Sequence, residues 1–176
     1  MTLQEADALF ATKSRINAVD SILKDTKTRR AALTGLAGSA PAMLFAALPR
    51  LKKPMLLIAT DITDAGYLYN DIRAVAGEEA VAIFPSGYKR DIKYGQVDPP
   101  SLILRTDVLD RVMQSRSLRC VVTCPEALAE RVSERSEMSQ NMLHLRVGAS
   151  AEMSDIVKRL IELGFNSVEY VYEPGQ

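Results

Sequence analysis

The stretch GLAGSAPA, residues 35–42, has the spacing of a chemical site. It lies between a strand-like segment, AALTG (31–35), and a helix-like one, APAMLFAALPRL (40–51), in the register of the phosphate-binding loop G-x-x-x-x-G-K-[ST]. Such a loop works because converging backbone N–H groups hold the phosphates, a lysine reaches the β- and γ-phosphates, and a hydroxyl binds Mg²⁺. Gly35 and Gly38 keep the flexible positions, but Ala40 replaces the second glycine, Pro41 replaces the lysine and removes a backbone donor, and Ala42 has no hydroxyl. Ser39 is left with the role of a helix cap. A working site would also draw on an acid at the end of a neighbouring strand. The strand ending at Thr123 and Cys124 is instead followed by Pro125, with Glu126 already in a helix. The expectation is a degenerate, inactive nucleotide loop with no catalytic residue, no metal and no cofactor. Two other readings stay open: a tight turn and helix start in a fold that never bound nucleotide, and a nucleotide-binding P-loop NTPase domain.

Other reactive residue types assemble nothing. His144 is the one histidine of the chain and sits in the alternating stretch MLHLRVG. Cys120 and Cys124 share an apolar strand, which places them about 13 Å apart at roughly 3.3 Å per residue, too far to pair or share a metal. Glu78 and Glu79 stand beside Gly77 in a turn, where exposure is expected rather than acid–base work. Basic clusters at 24–30, 50–53 and 89–93, the last between Tyr88 and Tyr94, suggest single-strand contacts. Interleaved acids such as Asp25 and Asp91, and a formal net charge of zero from 22 basic and 22 acidic residues, favour solvated faces instead. Direct nucleic-acid binding is therefore not expected. Neither is a membrane span, since no apolar run approaches about 18 residues; the start MTLQEADALF is unlike a signal peptide, and the reading is cytoplasmic.

The elements that must carry these residues alternate. A loosely amphipathic helical segment over 4–23 precedes the strand at 31–35 and the helix at 40–51. Then come a strand at 54–60, a helix at 64–77, a strand at 80–86, a long connection at 87–100, a helix from Ser101, a strand over LRCVVTC and a helix over PEALAERV with Pro125 in its first turn. Short apolar strands separated by helices predict a parallel-sheet α/β layer, complete by about Val132. Beyond the polar stretch 133–140, an alternating strand MLHLRV, a helix closed by Gly164 and an alternating strand SVEYVY predict the start of a smaller α+β domain. In that last strand Val168, Tyr170 and Tyr172 share one face, while Glu169 and Val171 share the other. Two strands and one helix are too little to close a core, so this second part reads as truncated.

Several spaced segments together carry a resemblance: LTGLAGSAPAMLFAAL (33–48), KPMLLIATD (53–61), IFPSGYKRDIKYGQVDPP (83–100) leading to Arg105 and Leu109, VVTCPEALAERV (121–132) and LIELGFNSVEYVYEPGQ (160–176). They resemble the N-terminal region of the bacterial transcription-repair coupling factors, the Mfd family, whose front module is similar to UvrB of nucleotide excision repair. The resemblance covers roughly residues 30–176. It implies an N-terminal helical segment (1–29), a helicase-like α/β domain with a degenerate P-loop (30–133, like UvrB domain 1a), and the beginning of a UvrA-binding-type domain (134–176, like UvrB domain 2).

The function so implied is a non-catalytic module that recruits UvrA to sites of damage-stalled transcription, in a parent protein that is an ATP-dependent DNA translocase. ATP and Mg²⁺ serve the parent's motor domains; RNA polymerase and DNA are engaged by domains this chain lacks, and the front module also packs against the parent's C-terminal domain. Gly164 and Phe165 match the family's G-[YF] pair, which places Asn166, Ser167 and Glu169 as UvrA-facing residues. Many relatives carry a basic residue just after the aromatic, where this chain has Asn166 and Ser167, and the family's later R-G pair lies beyond Gln176.

Overall fold

The structure, a computed structural model, describes residues 5, 14–48, 54–88, 97–114, 117–141, 143, 145–148 and 150–172. The chain divides into two compact units, Met1–Glu130 and Arg131–Gln176. In the first, helix α1 (Ser14–Lys24) is followed by α2 (Ala40–Ala47), strand β1 (Met55–Ile58), α3 (Ile62–Ala76), a 3-10 turn (Glu78–Ala80), β2 (Val81–Phe84), α4 (Pro99–Gln114), β3 (Cys120–Thr123) and α5 (Pro125–Ala129). The three strands form a parallel sheet in the order β1-β3-β2, with Cys120 opposite both Met55 and Val81. This is the α/β class expected from the alternation of elements.

Burial follows strand position. The central strand β3 is paired on both sides and covered on both faces, and its four residues are all buried, as the unbroken apolar run CVVT requires. On one face Val81, Cys120 and Val122 pack with Ala42 and Phe45 of α2 and Ala65 and Ile72 of α3. On the other, Ala82, Phe84 and Val121 pack with Val108 of α4 and Ala127 of α5. Each fully buried side chain of the size of Ile72 contributes roughly 1.5–3 kcal/mol. The edge strand β1 only half-buries alternate residues, Met55 and Leu57, and Leu56 and Ile58 are 53% and 57% exposed.

Helix ends explain where the elements stop. Asp61 caps α3, its Oδ1 accepting from the N–H groups of Thr63 (2.8 Å) and Asp64 (2.9 Å). Gly77 ends that helix at φ +89°, a conformation open to glycine, and its N–H bonds Arg73 O at 3.0 Å. Helix α4 starts at Pro99, two residues before the expected Ser101, because a proline at a first helical position needs no N–H partner. Ser101 Oγ donates to Asp98 Oδ2 at 2.6 Å instead of opening the helix.

Three expectations are corrected. Residues 31–35 form no strand; they are exposed, and the segment offers a neighbour only Leu33 as a large apolar side chain among residues of low strand preference. In the second unit, the polar stretch expected as a separator contains helix α6 (Arg135–Gln140). Of the strands expected at 142–147 and 167–172, no described residue is in a strand; alternation stabilises a strand only when a partner accepts its ladder bonds, and Tyr172 is 82% exposed. The expected helix is present as α7 (Met153–Glu162), closed by Gly164 at φ +90° with Phe165 N–H on Leu160 O at 3.0 Å.

Candidate functional site

The loop at 35–42 leads into α2, whose carboxyl end is anchored to the sheet. Arg119, the residue before β3, donates from Nη2 to the carbonyls of Leu48 (2.7 Å) and Phe45 (3.3 Å), with its guanidinium 4.9 Å from the Phe45 ring centre. A cation on the last carbonyls of a helix satisfies orphan acceptors and opposes the negative end of the dipole. The carboxyl end of α2 is thereby held at the amino edge of the sheet.

The loop's chemistry is spent locally. Gly35 and Gly38 adopt φ of +79° and +54°, and residues 35–39 are exposed. The Ala40 N–H bonds Ala37 O at 3.1 Å, and Pro41 has none, so neither of these two positions offers a donor to an anion. Ala42 is fully buried in the core with Phe45, Ala65 and Ile72. Ser39 stands at the N-cap position but makes no side-chain cap bond, contrary to expectation. Its backbone, at φ −77° and ψ 4°, is already near-helical, and capping geometry needs an extended residue there.

At the carboxyl edge of β3 the groups are also internally engaged. Thr123 is buried and its hydroxyl donates to Phe84 O at 2.8 Å, locking the ends of β2 and β3 together. The buried thiols of Cys120 and Cys124 are both pushed up by desolvation, Cys120 from 9.0 to about 12, which removes any nucleophilic thiolate at neutral pH. Among the described residues no group of three or more His, Cys, Asp or Glu side chains could hold a metal ion. His144 and the basic residues at 89–93 lie outside the described residues.

Among the described residues a further polar cluster forms around Arg105, a residue the sequence reading names only within the resemblance and gives no role. Arg105 of α4 is buried, with Nη1 on Pro85 O (2.8 Å), Ala127 O (3.3 Å) and Glu130 Oε2 (3.2 Å), and its guanidinium 4.1 Å from the Phe84 ring centre. Glu130 in turn accepts from Ser86 Oγ and from the Gly87 N–H at 2.9 Å. The signal was present in the spacing: Arg105 falls three residues after Leu102 and three before Val108, in the apolar register of α4. A charge there needs a buried partner.

The other proposed residues lie in the second unit. Asn166, Ser167 and Glu169 are exposed on an irregular segment after α7. Val168, Tyr170 and Tyr172, expected to share a strand face with core on one side, are exposed as well. Gly164 and Phe165 close α7, which sets the point from which the three polar residues project. The loop at 35–42 and these residues belong to different units.

No helix among the described residues is long and apolar enough to cross a membrane. No family model matches the chain. It is 27% identical over 167 residues to the transcription-repair-coupling factor of Bacillus subtilis (strain 168), covering 93% of this chain and 14% of that protein. It is 25% identical over 162 residues to UvrABC system protein B of Vibrio vulnificus (strain YJ016), covering 82% and 23%. Over 184 residues it is 24% identical to UvrABC system protein B of Methanococcus maripaludis, covering 93% and 28%. The chain thus spans less than a third of the length of these relatives. Over most of its own length it is weakly homologous to both kinds of protein, consistent with a UvrB-like region of a transcription-repair coupling factor.

Proposed function

We propose that this chain is a non-catalytic, UvrB-like recruitment module of a transcription-repair coupling factor, acting in the cytoplasm in nucleotide excision repair with UvrA as its partner. On this reading residues 30–133 are a helicase-like domain whose P-loop is degenerate, and residues 134–176 begin a UvrA-binding-type domain. The observation that carries the proposal is that one chain is similar, over more than four-fifths of its length, both to a coupling factor and to UvrB proteins. The loop supports the non-catalytic part: Pro41 lacks an N–H, the Ala40 N–H is consumed, and Ala42 is buried. ATP-driven translocation, RNA polymerase and DNA contacts, and the intramolecular partner of this module belong to other parts of the parent protein. Asn166, Ser167 and Glu169 are the proposed UvrA-facing residues.

A second reading, a nucleotide-binding P-loop NTPase domain, rests on the spacing of residues 35–42 and on the positive φ of Gly35 and Gly38 just before α2. One titration series separates the two. Calorimetry of the chain against UvrA, beside a version carrying about 60 further residues, the scale of a small domain, is expected to give saturable binding by the longer form. The same chain titrated with Mg²⁺ and ATP is expected to give no heat of binding. Binding of UvrA by neither form overturns the recruitment proposal; Mg²⁺-dependent ATP binding lost on Gly38→Asp establishes the alternative.

A further inference from the structure

The geometry points to a latch built from Arg105, Glu130 and Ser86, which couples the segment 85–88 at the carboxyl edge of the sheet to the end of α5, where the chain leaves its first unit. Glu130 is the last residue of that unit. Its carboxylate is held from two sides. Arg105 Nη1 lies 3.2 Å from Oε2, with the two side chains 7% and 16% exposed. Ser86 Oγ, 44 residues away in sequence, donates to Oε1, and the Gly87 N–H donates to Oε2 at 2.9 Å. Arg105 closes the circuit by donating to Pro85 O at 2.8 Å and Ala127 O at 3.3 Å, so one guanidinium touches both ends of the coupled pair.

Close approach accompanies the contact. A Cβ on Gly87 would lie 2.9 Å from Leu102 Cδ2 and 3.2 Å from Glu130 Oε2, so glycine is present for close approach rather than for backbone freedom. The segment is further tied down by the Asp98 N–H on Gly87 O at 2.9 Å and by the Tyr88–Val97 bridge. The bonds of Arg105 and Glu130 are charge-assisted and part-buried or buried, so a geometry that keeps only some of them leaves a charge with little water unsatisfied. The ends are therefore held together or released together. Anything that displaces residues 85–88 at the carboxyl edge loosens the exit of the chain from the first unit, and the reverse also holds.

The test changes one end and reads the other, in the full chain, by hydrogen exchange. Ser86→Ala and Gly87→Ala are each expected to speed exchange in residues 127–131 by about tenfold, the scale of a lost charge-assisted hydrogen bond, with the amides of β3 unchanged. Glu130→Asp, which shortens the reach of the carboxylate, is expected to speed exchange at 86–88 in the same way. Acceleration confined to the substituted element overturns the latch, and so does equal acceleration across β1, β2 and β3, which marks general loosening.

Discussion

At the scale of single residues, the groups at the carboxyl edge of the sheet and in the core are engaged inward. Thr123 spends its hydroxyl on Phe84 O, Glu130 spends both oxygens on Arg105, Ser86 and Gly87, and Ala42 faces the core where the P-loop pattern has a hydroxyl. Cys120 is the plainest case, since burial lifts its thiol from 9.0 to about 12. In the unfolded chain the thiol ionises near its ordinary value, while the folded chain holds it neutral until about 12. The stability this confers is full below about pH 9 and is lost as pH rises toward 12. Denaturant midpoints should therefore fall between pH 9 and 11 in the natural chain and fall less in Cys120→Ala. An equal fall in both chains would show that Cys120 does not contribute. The GLAGSAPA pattern was legible from residue types alone, whereas Ser39's failure to cap depends on backbone angles that composition does not carry.

Among the elements, those of the first unit match their sequence signals where packing and capping agree. Asp61, one residue before the apolar periodicity of α3, caps it, and Gly77 ends it. Asp61→Ala leaves two N–H groups of the first turn without an acceptor and is expected to lower stability by about 1 kcal/mol, read as a shift in the urea midpoint at unchanged slope. No shift would mean water replaces the cap at no cost. Strand signals held only where a partner strand exists: β1, β2 and β3 pair, but residues 31–35 and the described residues of 142–147 and 167–172 do not. Alternation describes what a strand would bury, not whether a neighbour is there to pair with it.

For the whole molecule, the two units differ in how much they bury. The described part of Arg131–Gln176 has one buried side chain, Met138, whereas both faces of the sheet in the first unit carry closed apolar clusters. Amides of α7 are therefore expected to exchange at least about a hundredfold faster than those of β3, because local opening there exposes little apolar surface. Equal protection would show that the second unit is as tightly closed as the first. The family resemblance read from spaced segments agrees with the measured similarity of 24–27% to a coupling factor and to UvrB proteins.

The amino-acid sequence by itself determined the α/β class, the sites of the three paired strands and the absence of a lysine at 41 and a hydroxyl at 42, where the P-loop pattern has them. These are local matters: periodicity, glycine and proline positions, and which atoms a side chain has. Only the tertiary structure decided that Arg105 and Glu130 meet, that Ala42 and Cys120 are sealed in the core, and that residues 31–35 and the described residues of 142–147 and 167–172 stay unpaired. The reason is physical. Burial, ion pairing and strand pairing depend on neighbours far away in the chain, and Glu130 reaches Ser86 across 44 residues that no local pattern connects.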